Sequence, residues 1–313
     1  MEALALLEGP PEALLRYTLA GAISPHTRRA YLGDLQHFAG WLLQRGSPPL
    51  ERAVIVAYRD ELVGAFRPRT VNRRLSTVRT LCRELTRRGA FARDPGEGVK
   101  GCRMSAESPL PALALSEARL LLATCAADTT PRGPRDLSLI AVAHCTGIRS
   151  SELLEVRPTD FAREGELRVL RFRAKGRIDR RTKIRAADWH RILEWRAVLA
   201  SLRGGEDIEA PLWSGMTGPR KPSPAGAWKV SRASLSASGL AHLLRSRARA
   251  AGIECRVSSH VLRRTFVTLA LEGGAPLRLA QYAAGHADPR TTEAYDAQRG
   301  SIDHHASDYL PPM

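Results

Sequence analysis

Apolar positions in this chain repeat with a helical period over most of its length and change to a strand pattern once. Near the N-terminus Tyr31, Leu35, Phe38 and Leu42 fall at i, i+4, i+7 and i+11, one face of a helix that Ser24-Pro25 starts. A second helix follows Thr70, with Val71, Leu75, Val78, Cys82 and Leu85 on its apolar face. Residues 137–145 form an apolar helical run that stops at Gly147. Residues 151–156 restart a short helix, where Glu152 suits the positive end of the helix dipole. The strand signature then appears at residues 167–172, with Lys175-Gly176 as a turn and residues 178–184 as the returning arm. Helical spacing resumes, broken by a Pro/Ser/Gly-rich loop at residues 214–226. The pattern predicts a mainly α protein with one small β-hairpin.

A chain of 313 residues is long enough for two domains. The boundary is expected in GCRMSAESPLP, residues 101–111, which is small, polar and proline-bearing. No run of about 18 uninterrupted apolar residues occurs, so no membrane-spanning helix is expected. Glu2, Glu8 and Glu12 without a basic n-region do not make a secretory signal. The cysteines (Cys82, Cys102, Cys125, Cys145, Cys255) are scattered and never in a CxxC pair. They read as reduced, buried thiols rather than a disulfide framework or zinc site. His304-His305 has no carboxylate or cysteine cluster beside it and is not read as a metal site.

Charge changes the picture. The 48 Lys and Arg residues against 32 Asp and Glu give +16 at pH 7. Only five of the bases are lysine. Arginine offers a rigid fork of donors that fits phosphate, whereas lysine is a flexible point charge. A GC-rich genome would favour arginine over lysine, but it does not make bases outnumber acids. The surplus points to a polyanion, most plausibly nucleic acid. Residues 67–103 hold 11 bases and three acids, and the second helix carries Arg73, Arg74, Arg79 and Arg83 off its apolar face. Solvated helix faces usually intersperse Glu for i,i+4 pairing; this one hardly does, and it reads as a surface for DNA phosphates. Residues 168–185 hold nine bases and one acid, Asp179, so the hairpin with Arg173 and Arg177 reads as a DNA-facing finger. Single-stranded RNA is disfavoured, because aromatics for stacking make up only 5% of the chain.

Three segments carry chemistry: CTGIRSSEL from Cys145, SHVLRRTF from Ser259, and GHADPRTTEAY from Gly285. His260 and Arg263 are three apart and share a helix face. Arg149 follows a glycine turn at the mouth of a helix. His286 also follows a glycine, and Tyr295 lies nine residues on, across a Thr-Thr pair suited to capping a short helix. Two arginines, two histidines, a lysine and a tyrosine meet the needs of phosphoryl transfer. The arginines neutralise a pentacoordinate phosphate, the histidines donate hydrogen bonds or move protons, and the tyrosine is a nucleophile that nearby cations help to ionise. Each element alone is commonplace. Their order and spacing carry the reading.

At these residues the chain resembles the tyrosine recombinases, or phage-type integrases, which include the Xer-like recombinases. That pattern has Arg in TG-[LI]-R-x-x-E-L, Lys in a β-hairpin, HxxR, and GH with Tyr nine residues later. Arg149, Lys175, His260, Arg263, His286 and Tyr295 match it. Residues 27–35 and 70–76 look like the family's helical core-binding domain, so the likeness extends over most of the chain. It implies a SAM-like DNA-binding domain at 1–104, a linker at 105–113 and a catalytic domain at 114–313, forming a C-shaped clamp around duplex DNA.

By this resemblance Tyr295 would attack the scissile phosphate to give a 3′-phosphotyrosyl link. Lys175 would protonate the leaving 5′-oxygen, and Arg149 and Arg263 would hold the non-bridging oxygens. His260 would assist proton transfer and His286 would hydrogen-bond the phosphate. No cofactor or metal is implied. The expected partner is double-stranded DNA, bound by a homotetramer or by a heterotetramer with a second recombinase, in the cytoplasm at the nucleoid and away from membranes.

The chain departs from the pattern at Arg264, where the family often has His. Lys183 competes with Lys175, which sits at the turn tip. Tyr282 and Tyr309 are rival tyrosines outside the GH frame, and Tyr282 reads as a helix core residue. Residues 211–224, with Trp213 and Lys221, are either a loop near DNA or variable surface. Ile302, Tyr309 and Leu310 either anchor the tail on a neighbouring protomer or fold back on their own domain. Dimer resolution and mobile-element integration both remain open, although the N-terminal 100 residues leave no room for a lambda-like arm-binding domain. The alternatives are a non-catalytic DNA-binding derivative and type IB topoisomerase-like relaxation without synapsis.

Overall fold

A computed structural model describes residues 25–103, 112–174, 178–219, 228–286 and 288–293. The chain divides into two compact units between Ser108 and Pro109.

The described part of the first unit is three helices, α1 (Pro25–Leu43), α2 (Arg52–Ala65) and α3 (Pro68–Arg87). Proline at the start of α3 has its φ preset for the first turn and gives up no needed donor. The predicted faces of α1 and α3 are the ones that pack: Leu35, Phe38, Leu42, Val71, Leu75, Val78, Cys82 and Leu85 are all buried. The periodicity reading did not single out α2. Its core residues Ile55, Tyr58 and Leu62 keep helical spacing, but Val63 on the same helix is half exposed and blurs the stripe. Tyr58 centres the aromatic core, edge-on to Phe38 at 4.8 Å and to Trp41 at 5.2 Å, with its hydroxyl 3.0 Å from His37 Nδ1.

One carboxylate organises the face between α1 and α3. Asp34 is only 2% exposed. It pairs with Arg73, accepts from the Thr77 hydroxyl at 3.1 Å, and has Arg74 Nε at 3.8 Å. Arg74 also lies over the Phe66 ring, 4.2 Å from its centroid.

The second unit contains α4 (Leu115–Ala126), α5 (Arg132–Thr146), α6 (Ser150–Leu153), β1 (Phe161–Glu164), β2 (Leu167–Ala174), β3 (Ile178–Lys183), α7 (Ala186–Arg203), β4 (Ser214–Thr217), β5 (Lys229–Ser234), α8 (Ala237–Ala250), α9 (Ser259–Glu272), α10 (Leu277–Ala284) and α11 (Pro289–Glu293). Five consecutive residues of α5, Leu139 to Ala143, are buried, the mark of a helix enclosed on all sides. It packs against α4, α7 and α9. Strands β1, β2 and β3 form an antiparallel sheet in that order, with Phe161 opposite Leu170 and Arg173 opposite Asp179. Strands β4 and β5 form a second antiparallel pair.

Several expectations need correction. The hairpin has a third strand, β1, whose Glu164 accepts from Arg171 at 2.8 Å and Arg181 at 3.0 Å. Part of the basic finger is therefore neutralised from a neighbour outside the run. The loop expected at residues 214–226 begins with β4. Trp213 is neither DNA loop nor variable surface: it is fully buried, and its indole N–H donates to Ser138 Oγ at 3.0 Å. Tyr282 is 72% exposed rather than core. Cys82 and Cys125 are buried, whereas Cys102, Cys145 and Cys255 are partly exposed. The Thr291-Thr292 pair lies within α11 instead of capping it.

Removing a buried carboxylate strands its cationic partners, a loss of about 3–5 kcal/mol when the pair is fully buried. Arg73 is half exposed, so Asp34→Ala is expected to destabilise the first unit by roughly 2–3 kcal/mol, seen as a lower urea midpoint by circular dichroism.

Candidate active site

Two of the helices that end at glycines each deliver a site residue. Helix α5 stops at Gly147, whose φ is 60°, and a Cβ there would meet Phe266 Cδ1 at 2.4 Å. Backbone and packing both require glycine. Two residues on, Arg149 precedes the first turn of α6. Helix α10 stops at Gly285, with φ 68°, and His286 follows at once. The third contributor is α9, capped by Ser258 Oγ accepting from Val261 N at 3.3 Å. It places His260 exposed in its first turn and Arg263 one turn deeper, 8% exposed.

Arg149 is held twice by Glu152. Its backbone N–H donates to Oε2 at 3.0 Å and its Nη1 to Oε1 at 3.1 Å. Its Nη2 donates to the Gly285 carbonyl at 2.9 Å. Arg263 donates through Nη1 to the Gly147 carbonyl at 2.6 Å and through Nη2 to the Ala284 carbonyl. Both arginines thus grip the end of α10, whose last carbonyls have no partners within the helix and carry its negative dipole end. These contacts join segments 116 and 136 residues apart in sequence.

His286 lies against this pair. Its Nδ1 is 2.9 Å from the hydroxyl of Thr292, a fully buried residue, and its carbonyl accepts from Gln281 Nε2 at 3.1 Å. Burial first, then the charges of Arg263 and Arg149, push the imidazole down to about 4. The ring is therefore neutral at pH 7. In the tautomer where Thr292 donates to Nδ1, Nε2 keeps the proton as a donor.

The structure brings Arg149, Arg263 and His286 together and puts His260 on the same helix as Arg263. Lys175, Arg177 and Tyr295 lie outside the described residues. Lys183 is opposite Val169 at the base of the hairpin, far along β3 from the turn. Arg264 is half-buried. Of the DNA-binding candidates, Arg73 and Arg74 are committed to Asp34, while Arg83 is exposed and Arg79 partly so. Arg173 pairs with Asp179 at 3.4 Å, with both side chains largely exposed. A pair of that kind contributes little and yields readily to a phosphate. The sequence reading gave Glu152 a dipole role only and missed that it fixes Arg149. Its position three residues after Arg149, the spacing of a capping box, was the available signal.

Both parts of the chain are similar to known proteins. Residues 112–300 match the phage integrase family, and residues 14–89 match the N-terminal SAM-like domain of phage integrases. Tyrosine recombinase XerD of Caulobacter vibrioides is 33% identical over 284 residues, 88% of this chain and 86% of the relative. Tyrosine recombinase XerC of Pelobacter propionicus is 29% identical over 280 residues, 87% and 85% of the two chains. Among solved structures, the XerH site-specific recombinase in a post-cleavage complex with palindromic difH substrate superposes with a TM-score of 0.72. That match is at 19% identity and covers 94% of this chain and 82% of that one. A lambda integrase dimer bound to a COC′ core site gives a TM-score of 0.65 at 15% identity, covering 96% of each chain.

Matches of this extent define a tyrosine recombinase. The chain belongs to the phage integrase family, as a Xer-like member. Site-specific DNA recombination is the activity that goes with that membership.

The imidazole of His286 gives a pH test. Unfolded, it binds a proton near its ordinary value of 6.5; folded, it does so at about 4. Its contribution to stability is therefore complete above pH 6.5 and is lost as pH falls from there towards 4. In NMR titrations of histidine-labelled protein, the His286 signal is expected to move at about 4, and Arg149→Gln is expected to raise that midpoint. A midpoint near 6.5 in the parent protein would contradict the described cation cluster.

Proposed function

We propose that the chain cleaves and rejoins duplex DNA at a defined site through a covalent 3′-phosphotyrosyl intermediate, with Tyr295 as nucleophile. The observation that carries this reading is the convergence of Arg149, Arg263 and neutral His286 from three separate segments on one helix end. Their donors and charge are held in place before substrate arrives, so little reorganisation is needed as charge builds on a pentacoordinate phosphate. Arg149 stays about one-third exposed along its side chain and so has an edge open to a ligand. His286, uncharged, adds a hydrogen bond without adding to the crowding of cations.

In this reading the Tyr295 phenolate attacks phosphorus and the P–O5′ bond breaks. The leaving oxygen takes its proton from Lys175, and His260 assists removal of the phenol proton. The phosphodiester energy stays in the Tyr–O–P link, so the reverse attack by a 5′-hydroxyl reseals the strand without ATP. The exposed bases Arg83 and Arg173 would follow the DNA backbone. Four protomers, identical or of two kinds, would exchange strands in pairs, and the substrate would keep the protein at the nucleoid. Likeness to proteins named XerC and XerD supports a Xer-type role over element integration.

The test is a denaturing-gel trap with nicked restriction fragments of the host's own DNA, without metal. A protein–DNA adduct is expected from the parent chain and none from Tyr295→Phe. Because Tyr282 is exposed, Tyr282→Phe is the needed control and should still form the adduct. Arg149→Ala should slow adduct formation by roughly 10²–10³-fold, the usual effect of removing one preorganised donor. A 5′-bridging phosphorothioate should restore Lys175→Ala, since a good leaving group needs no acid. Adduct from Tyr295→Phe would overturn the nucleophile, and relaxation of any supercoiled plasmid without a preferred site would favour topoisomerase-like action.

A further inference from the structure

The end of α10 is held by a third arginine that neither the family pattern nor the reaction scheme above uses. Arg180, on β3, donates through Nη2 to the Tyr282 carbonyl and, at 3.4 Å, to the Ala283 carbonyl. Its guanidinium carbon lies 5.6 Å from the centroid of the Tyr282 ring and 5.9 Å from that of Phe172. A Cβ on Gly285 would come within 1.8 Å of its Nη1. With Arg263 on Ala284 and Arg149 on Gly285, the carbonyls of residues 282 to 285 are all taken by guanidiniums from three different elements.

Helix α10 otherwise packs lightly, with Ala280 and Ala284 against Val267 and Leu271 of α9 and Leu277 partly buried beside them. It runs for eight residues and buries only Ala280 and Ala284, while Leu279 and Tyr282 are 57% and 72% exposed. Two alanine methyls remove little apolar area from water. Its N-terminus has no side-chain cap. Hydrogen bonds at its C-terminus therefore add to this light packing in holding the Gly285-His286 turn. Among the described residues of the sheet, Arg180 makes that connection, and a planar fork can span successive carbonyls where an ammonium cannot. A direct role on DNA fits less well, since the guanidinium is directed onto backbone carbonyls and lies near two rings.

We propose that Arg180 is a positioning residue: it fastens β3 to the end of α10 and so sets the place of Gly285 and His286 for phosphoryl transfer. The inference rests on the function proposed above. Misplacing a reacting group by about 1 Å can cost on the order of 10²-fold in rate, so an effect of this kind is measurable.

The experiment uses the full-length chain with Arg180→Ala and Arg180→Lys. Hydrogen exchange reads the turn directly, because the amides of Gly285 and His286 donate to the Gln281 carbonyl at 2.9 and 3.2 Å. Arg180→Ala should speed their exchange by about tenfold or more while α5 is unchanged, as expected of a local opening. Arg180→Lys, able to serve one carbonyl, should fall between. With nicked host DNA at saturation, adduct formation by Arg180→Ala should slow by about 10- to 100-fold and recover partly in Arg180→Lys, with unchanged DNA affinity. Unchanged exchange at these amides, or weaker DNA binding with a normal rate at saturation, would overturn the proposal. If the parent chain forms no adduct, the recombination reading falls, and the exchange data still decide whether Arg180 fixes the turn.

Discussion

Gathering guanidiniums at one point of a protein is unfavourable unless something other than carboxylates receives them. Two unit charges about 4 Å apart repel by roughly 4 kcal/mol at an effective dielectric of 20. A cation cluster fully neutralised by Asp and Glu would have no attraction left for a phosphate. Here the receiver is mainly the C-terminus of α10, whose orphan carbonyls supply partial negative charge without a net charge. Among the described residues, the carboxylate bound directly to Arg149 is that of Glu152. Burial first, and then the positive charge that remains, depress the pKa of His286.

The same residue type also serves stability, which complicates any reading of the +16 net charge. Asp34 engages Arg73 and Arg74, Asp188 engages Arg185 and Arg191, and Arg247 bridges Asp128 and Asp136. Each acid is well buried or partly buried, so these pairs are fixed parts of the fold rather than movable surface charge. The arginine-lined face of α3 is accordingly two things at once. Its first turns are tied to α1 through Asp34, while Arg83, Arg87 and Arg88 further along are exposed. Charge density along a sequence does not separate these roles. The deciding partner of Arg73 is 39 residues away.

What could be read beforehand follows the range of the interaction concerned. Helical faces were legible because burial repeats with the backbone period, as with Leu35, Phe38 and Leu42 in α1. The glycine stop of α5 was legible because a left-handed cap leaves a residue-type mark. Strand β1 was not, since four residues with one buried position carry no period, and neither was the burial of Trp213, which packs in a core assembled from distant segments with its N–H received by Ser138 of α5. Tyr282 misled for a related reason. On a helix this short and lightly packed, an aromatic at helical spacing has no core to enter. Within the site, residue identities were legible from motif spacing. The bonds from Arg149, Arg180 and Arg263 to α10 were not, because backbone carbonyls leave no trace in side-chain identity.

This use of a helix terminus inverts the familiar logic of anion binding. A helix N-terminus attracts phosphate directly through its N–H groups, whereas a bare C-terminus repels it. The end of α10 fits the proposed chemistry only because arginines stand against its carbonyls and turn a negative surface into a positive one. The helix then acts as a template that spaces the guanidiniums, and the guanidiniums in turn fix a helix that its two buried alanines could not hold alone. In the proposed reaction substrate charge and helix placement would be coupled: a phosphate drawing Arg149 or Arg263 forward would also pull on the carbonyls they hold, and through them on the turn that carries His286. The imidazole would then follow the phosphate as its geometry changed from tetrahedral to pentacoordinate.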